Sequence, residues 1–394
     1  MNIFKHSFGT AMYALSQWIM LLVITKFQGV EAAGVYSLYL AILTPLNILT
    51  NYGLRNFISS DVNHEFSETT YLSLRYFGVL VFLSFSSFGF LFIDNKLLYL
   101  VVLSIKFFDS LSELEYGNWN RNGVIYHYAI SQLVRLILFL FSLVLIYVTF
   151  DNKNYLLLVF PASILVTYIF YDVRFSSLKL QLSKFDFHKL FELAKLASPL
   201  AMGSVVVSLN VMVTRYTIDD FLGSLDLAKY VYLQYYFTVA SIIVISLGQI
   251  SIPVLSKNRN DPNAQWLIIR KWNFYILIYG LIFALCIIFL SNPVSMLLYS
   301  EDINYNLCQR IIVAFSGMVA FFSLYGNSIL ISRKKLKSIF MINLFSLVMT
   351  VLLIYIFVGN YGLTGAFLTF LMVNFTILIV VAWQVFITRK VKHE

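Results

Sequence analysis

Charge is scarce in this sequence of 394 residues. Asp, Glu, Lys and Arg make up only 12% of the chain, whereas 60% of the residues are hydrophobic. A soluble protein carries about 25% charged residues, so this chain lacks the polar surface that a soluble fold presents to water. The composition excludes a soluble globular protein and predicts an integral membrane protein.

Cysteine and histidine are rare as well. Two cysteines and five scattered histidines provide neither a disulfide framework nor a metal-ligand spacing. A glycine-rich phosphate loop and an HExxH motif are also missing. We therefore expect no metal, no cofactor and no enzymatic activity, and transport by such a chain would depend on an ion gradient or on a partner.

Apolar runs dominate the remaining sequence. About twelve of them approach the 20 residues that cross a bilayer, and the loops between them are too short to fold as domains. We predict an all-α integral membrane protein with two six-helix lobes, 1–171 and 193–394. The basic segment 172–192 between them is predicted to be a cytoplasmic linker, either an ordinary one or an interfacial amphipathic helix.

Lysine and arginine collect in alternate loops. This asymmetry follows the positive-inside rule and predicts that both termini are cytoplasmic. It also explains the net charge of +9 as a topology signal, so we expect no nucleic-acid partner.

The fourth apolar run, Leu97 to Gly123, fills with charge: Lys106, Asp109, Glu113 and Glu115. Lys106, Asp109 and Glu113 share one helical face by their spacing. The apolar part alone is too short to cross a core of about 30 Å, which predicts that the helix continues and that Lys106 and Asp109 lie near the bilayer midplane. The alternative is that the helix tilts and the membrane thins, so that Asp109 and the residues after it form a cytoplasmic loop. Charged groups at that depth usually face a bundle interior or a water-filled cavity.

A turn after this helix reverses the chain and brings Arg135 to the depth of Lys106 and Asp109. We predict a substrate-binding cationic pair, Lys106 and Arg135, with Asp109 and Glu113 as counter-charges or ion-coupling groups. The alternative is an ion-pair network that only holds two helices together. Arg75 lies at the end of a span and is expected to be an interfacial anchor.

The two halves carry a weak repeat. Residues 25–27, Thr-Lys-Phe, match residues 214–216, Thr-Arg-Tyr, and both triplets lie at the outer end of the first helix of a half. Lys26 and Arg215 are therefore further substrate-binding candidates, with snorkelling to the interface as the alternative. Two parallel six-helix repeats are a plan used by transporters.

With these features, the sequence resembles polysaccharide repeat-unit flippases of the Wzx type, as in O-antigen synthesis. The resemblance rests on the segment FELAKLASPLAMGSVVVSLNVMVTRY at 191–216, the motif GVEAAGVYSL at 29–38 and NYGLR at 51–55. These flippases belong to the multidrug/oligosaccharidyl-lipid/polysaccharide (MOP) exporter superfamily, which implies a MATE-like fold. One departure is Thr214, where family members often carry an acid, which leaves Asp219 and Asp220 as weaker coupling candidates.

The resemblance implies a function and a location. The substrate would be an undecaprenyl-pyrophosphate-linked oligosaccharide, moved from the cytoplasmic to the periplasmic leaflet of the bacterial inner membrane by alternating access through a basic central cavity. Proton or sodium coupling, membrane lipids and polysaccharide assembly proteins as partners would follow. The alternatives are a polymerase or ligase, which usually has a large periplasmic loop, a drug or cation exporter of the same superfamily, and a structural protein.

Overall fold

A computed structural model describes most of the chain. The described residues are 2–61, 65–176, 178, 187–258, 261–299, 303–333 and 335–390. Within them the chain forms α-helices joined by short turns and no β-strand, which confirms the predicted all-α class. The helices are α1 (Asn2–Gln28), α2 (Val30–Thr50), α3 (Leu54–Ser60), α4 (Glu68–Gly89), α5 (Lys96–Arg121), α6 (Tyr126–Thr149), α7 (Leu156–Thr167), α8 (Phe187–Leu222), α9 (Ser224–Lys257), α10 (Pro262–Leu298), α11 (Leu307–Ser332) and α12 (Leu336–Lys390).

Ten helical segments of the described chain are long and apolar enough to cross a membrane. The prediction of about twelve spans differs for two physical reasons. Lys106, Asp109 and Glu113 give α5 more charged residues than an apolar span carries, although its 26 residues extend about 39 Å at 1.5 Å per residue. The predicted eleventh and twelfth spans are continuous in α12, which kinks at Gly362 (φ 56°, ψ −138°).

The chain divides into two compact units, Met1–Met212 and Val213–Glu394. The predicted lobe limits at 171 and 193 and the cytoplasmic position of the termini stay predictions. Most of the predicted linker lies outside the described residues. Its first residue, Asp172, ends a π-helical turn that continues α7.

The first unit packs its helices around a core that includes the short helix α3. Leu54 and Ile58 of α3 are buried against Tyr71 of α4 and Leu114 of α5. The beginning of α8 joins the same cluster through Leu193. As a result α3, although only seven residues long, is part of the helix bundle and holds its polar side chains in fixed positions.

The second unit is organised around α11, whose buried face runs from Ile312 to Ser332. Arg333 follows α11 and donates to the Gln265 side chain on α10 and to the Val385 carbonyl on α12. These bonds satisfy a buried guanidinium and join three helices at one end of the unit.

Each unit contains a helix–glycine–helix junction. Gly29 separates α1 from α2 with φ 94° and ψ 168°, and Gly223 separates α8 from α9 with φ 82° and ψ 171°. A side chain is strained at such positive φ values, so glycine allows the same backbone conformation at both junctions. The junctions follow the predicted repeat triplets and give the weak sequence repeat a backbone counterpart.

Candidate functional site

Arg135 on α6 is the centre of a buried polar network in the first unit. The residue is 1% exposed, and its Nη1 donates to Oδ1 of Asp109 at 2.8 Å. Its Nη2 donates to Oγ of Ser112 at 2.6 Å and to Oδ2 of Asp172 at 3.4 Å. One guanidinium therefore lies between two carboxylates inside a bundle of apolar helices.

The α5–α6 hairpin places these groups together, as the sequence spacing predicted. The helix α5 is unbroken to Arg121, and the chain reverses at Gly123, whose φ is 73°. Asp109 and Arg135 then stand at the same level on antiparallel helices. Ser112 and Tyr116, three and seven residues after Asp109, follow on the same face of α5.

Asp172 is the member of the network that the sequence prediction missed. It is 0% exposed, and its Oδ1 accepts a hydrogen bond of 2.7 Å from Ser131 on α6. The π-helical turn Tyr168–Asp172 carries it inward, and such turns frequently mark functional sites. Asp172 begins the polar run DVRF, which places it in the predicted linker. The signal for its role is that an acidic residue directly follows an apolar span.

Tyrosines complete the network from two sides. The Tyr13 hydroxyl on α1 donates to Oδ2 of Asp109 at 2.7 Å. The Tyr116 ring lies 5.6 Å from the Arg135 guanidinium, within the range of a cation–π contact. Helices α1, α5, α6 and the turn after α7 thus all contribute, and removing Arg135 would leave two buried carboxylates without their cation.

A second charged group surrounds Glu113 in the same unit. Glu113 acts electrostatically on Arg75 of α4 and on Arg55 of α3, but it forms none of the ion pairs between described residues. Arg75 is 1% exposed. The expectation that it is an interfacial anchor is therefore wrong, because α4 begins at Glu68 and Arg75 lies about two turns inside the helix.

The remaining predicted cations lie apart from this network or at its edge. Lys106 is half-buried one turn before Asp109, and its carbonyl accepts a hydrogen bond of 3.2 Å from Asn47 on α2. Lys26 is exposed near the end of α1. Arg215 is half-buried on α8 in the second unit, where it acts electrostatically on Tyr230 and Tyr235 of α9. Substrate binding by these cations stays a prediction.

Metal-ligating clusters are not found among the described residues: no group of three His, Cys, Asp or Glu side chains could hold an ion. Cys286 and Cys308 are both free and exposed.

Sequence comparison finds one informative relative. No protein-family profile matches the chain. The capsular polysaccharide biosynthesis protein CapF of Staphylococcus aureus is 24% identical over 374 residues, which cover 93% of this chain and 94% of CapF. The similarity therefore extends over nearly the whole of both proteins.

Solved structures match over the same length. A multidrug resistance MATE family transporter of the MOP superfamily in its inward-facing conformation has a TM-score of 0.73 at 13% identity, covering 100% of this chain and 95% of that one. The chain has the MATE-like fold of the MOP superfamily. A MOP superfamily transporter from Pyrococcus furiosus (TM-score 0.67, 13% identity, 100% and 96% covered) and the Vibrio cholerae MATE transporter VcmN in its bent form (0.65, 13%, 99% and 97%) agree.

The structural similarity shows the predicted MATE-like fold. A multi-pass membrane protein with a MATE-like fold is confirmed. Transporters are the structural neighbours, which agrees with the prediction that the chain is not an enzyme.

Proposed function

We propose that this chain is a Wzx-type flippase that moves lipid-linked polysaccharide repeat units across the bacterial inner membrane. The observation that carries the proposal is the full-length similarity to a capsular polysaccharide biosynthesis protein in a chain with a transporter fold. A polymerase or ligase is disfavoured by that fold. The proposed substrate is an oligosaccharide on undecaprenyl pyrophosphate, moved from the cytoplasmic to the periplasmic leaflet.

The chemistry of the chain suits an anionic substrate of this kind. Its lipid tail stays in the bilayer, so the protein needs to shield only the pyrophosphate and the sugars from hydrocarbon. Basic side chains at membrane depth supply charge-assisted hydrogen bonds to phosphate oxygens. Lys106, Lys26 and Arg215 are the proposed contacts, whereas the donors of Arg135 to Asp109 and Asp172 give Arg135 a positioning role.

A drug or cation exporter is the second candidate, since multidrug MATE transporters are among the structural neighbours. The proposed contacts Lys106, Lys26 and Arg215 argue against it, because basic side chains suit an anionic substrate better than a cationic drug. Transport of a cationic dye by the purified chain would favour this candidate over the flippase.

Coupling to protons or sodium is the proposed energy source. Asp109 and Asp172 together carry one more negative charge than Arg135 neutralises when both are ionised. A proton or a sodium ion would balance that excess, and its arrival would change the forces that hold α1, α5, α6 and the turn after α7 together. Glu113 is a further proposed coupling group.

Accumulation of substrate in cells tests the flippase directly. Deleting the gene should leave lipid-linked repeat units accessible only from the cytoplasmic leaflet, and the wild-type chain should restore their delivery. Lys106→Ala should reduce delivery, whereas Lys153→Ala should not, because Lys153 donates only to the backbone carbonyls of Tyr147 and Phe150 in an exposed turn. Normal delivery by the Lys106 variant at equal expression would remove Lys106 from the site, and normal delivery in the deletion strain would refute the function.

A further inference from the structure

A cleft of about 240 Å³ lies between α10 and α12 in the second unit, with α11 as its floor. Trp266 and Asn273 of α10 line one wall, and Ala382 and Phe386 of α12 line the other. Gly326 of α11 lies at the bottom and is buried, whereas Trp266, Ala382 and Phe386 are exposed. This α10–α12 cleft is therefore open towards the outer surface of the helix bundle.

Close packing fixes the shape of the α10–α12 cleft. A Cβ atom on Gly326 would collide with the Val381 side chain, so α12 rests directly on α11. At one end, Arg333 donates to the Gln265 side chain of α10 and to the carbonyl of Val385, which itself lines the cleft. Because these contacts tie the walls to the floor, the space between them is part of the fold.

The size and the lining of the α10–α12 cleft favour a single hydrocarbon chain. Apart from Asn273, the residues of the lining are apolar or aromatic. Pockets that bury a drug-sized ligand measure about 300–1,000 Å³, so this cleft is too small for an oligosaccharide and offers few polar partners to sugars. A chain in the cleft would give the lining atoms the dispersion contacts that an empty space lacks.

The α10–α12 cleft crosses the boundary of the hydrocarbon core. Arg270 and Lys271 are the only charged residues of α10, and the rest of the helix, from Trp272 to Leu298, is long enough to cross a core of about 30 Å. Trp266 lies before this charged pair and Asn273 after it. Tryptophan and basic residues are typical of the membrane–water interface. A ligand that fills the cleft therefore has an apolar part in the core and a polar part at the interface.

The charge beside the α10–α12 cleft is positive. Arg270 follows Trp266 by four residues and precedes Asn273 by three, which places all three on one face of α10. Arg270 is exposed and belongs to no ion pair within the described part of the second unit. Asp261, the nearest acid along the chain, caps α10 by accepting from two backbone amides. Further exposed cations near this end of the unit are Lys257, Lys271, Lys335 and Lys337.

We propose that the α10–α12 cleft binds one chain of an anionic phospholipid, whose phosphate lies against Arg270. A guanidinium fork matches two oxygens of a phosphate, and the Trp266 ring suits the level between the headgroup and the chains. The ligand is a resident membrane lipid and not transported cargo, so the proposal does not depend on the proposed function.

A second groove provides a comparison within the same chain. It has a volume of about 370 Å³, lies between α6 and α7 in the first unit, and is lined by residues that include Tyr155 and Ala162. Lys153, two residues before Tyr155, already donates to the carbonyls of Tyr147 and Phe150. We expect this α6–α7 groove to accept a chain of any lipid, without selection for an anionic headgroup.

Thermal unfolding of the purified full-length chain in nanodiscs tests the site, with phosphatidylglycerol replacing phosphatidylcholine stepwise. We expect the wild-type Tm to rise with the phosphatidylglycerol fraction and to saturate. Arg270→Gln should lose this rise, whereas Lys271→Gln, which removes the same charge from the opposite face of α10, should keep it. Ala382→Trp fills the α10–α12 cleft and should also lose the rise. Ala162→Trp, which fills the α6–α7 groove, should keep it.

The contrary results are equally specific. A wild-type Tm that is the same in both lipids overturns the site, as does an equal loss in Arg270→Gln and Lys271→Gln, because the latter indicates a general effect of surface charge. Retention of the rise by Ala382→Trp would place the lipid outside the cleft; if that variant does not fold, Ala382→Leu fills the same space with a smaller side chain. Tighter binding of polyprenyl phosphate than of phosphatidylglycerol, or burial of the cleft in a dimer, would identify another occupant and refute the proposal.

Discussion

Two arginines in the first unit are equally buried and differently partnered. Arg135 and Arg75 are each 1% exposed, yet Arg135 donates to Asp109, Ser112 and Asp172 while Arg75 has no hydrogen-bond partner among the described residues. A paired buried charge is part of the scaffold, because its removal leaves the partner charges buried and unpaired. An unpaired one has no partner charge to lose, so it contributes little to the resting fold.

The largest effect is expected from Arg135→Met. The substitution leaves Asp109 and Asp172 buried without their cation, and breaking a buried pair in this way costs about 3–5 kcal/mol. Unfolding in mixed micelles with increasing SDS measures the decrease in the free energy of unfolding. A variant as stable as the wild type would contradict the role of Arg135 as the scaffold of the unit.

Asp172→Asn should cost less, about 1–3 kcal/mol, because Asp109 still neutralises Arg135 while a buried hydrogen-bond acceptor is weakened. Asp109→Asn is the matched comparison, with the same chemical change on the other side of the guanidinium. The same SDS titration should rank both below Arg135→Met. A loss from either that equals the arginine substitution would mean that one carboxylate alone carries the network.

Tyr13→Phe sharpens the comparison within the network. The variant removes the 2.7 Å hydrogen bond that the Tyr13 hydroxyl donates to Asp109 and leaves every charge in place. We expect the free energy of unfolding to fall by about 1.5 kcal/mol, as for a hydrogen bond to a charged group. Tyr230→Phe, whose hydroxyl accepts from Gln234 in the second unit, is the neutral control and should lose less. Equal losses would show that the charge on Asp109 does not strengthen the bond.

Asp61 offers a pH test outside the spans. Burial raises the pKa of its carboxyl, but hydrogen bonds from the Glu65 and Phe66 amides and the Tyr71 hydroxyl lower it further than burial raises it, so the net pKa is below the ordinary value. This stabilisation is present above the unfolded pKa of about 3.9 and is lost as the pH falls through the folded pKa. Asp61→Asn should lower the free energy of unfolding by about 1 kcal/mol at neutral pH and should make it depend less on pH under acidic conditions. An unchanged pH dependence would contradict the role of the Asp61 carboxylate.

The smallest effect is expected from Arg75→Met, the same substitution as the first. Replacing an unpaired buried charge by an apolar side chain of similar length is neutral or stabilising, so the free energy of unfolding without ligand should stay within about 1 kcal/mol of the wild type or rise. A loss as large as that of Arg135→Met would abolish the comparison, because it would reveal that Arg75 has a partner in the resting protein.

The sequence predicted the part of the site that depends on spacing. The length of a bilayer crossing predicted that α5 continues past its apolar part. The equal numbers of residues on the two sides of the turn predicted that Arg135 lies beside Asp109. Both follow from helix geometry alone, and the structure confirms both. The MATE-like architecture was predictable from the apolar runs together with the family resemblance.

Other members of the site depend on features that hydropathy does not encode. Asp172 reaches Arg135 through a π-helical turn. In the sequence, the end of the apolar run at this position indicates the start of a linker instead. Arg75 was expected to be an anchor because it lies near the end of an apolar run, but Gly78 allows α4 to pack tightly on α2, and Arg75 is buried. Burial of a single side chain is decided by the helices that cover it, and one sequence does not reveal those neighbours.

Reconstitution tests the central claim most directly. Proteoliposomes would carry a fluorescent lipid-linked oligosaccharide, and a membrane-impermeant glycosidase would report how much of it faces outward. The account predicts that the wild-type chain makes the inner-leaflet pool accessible, and that a folded chain with Lys106→Ala, which lacks one proposed substrate contact, does so more slowly. Accessibility no faster than in protein-free vesicles, with correctly folded wild-type protein present, would contradict the account.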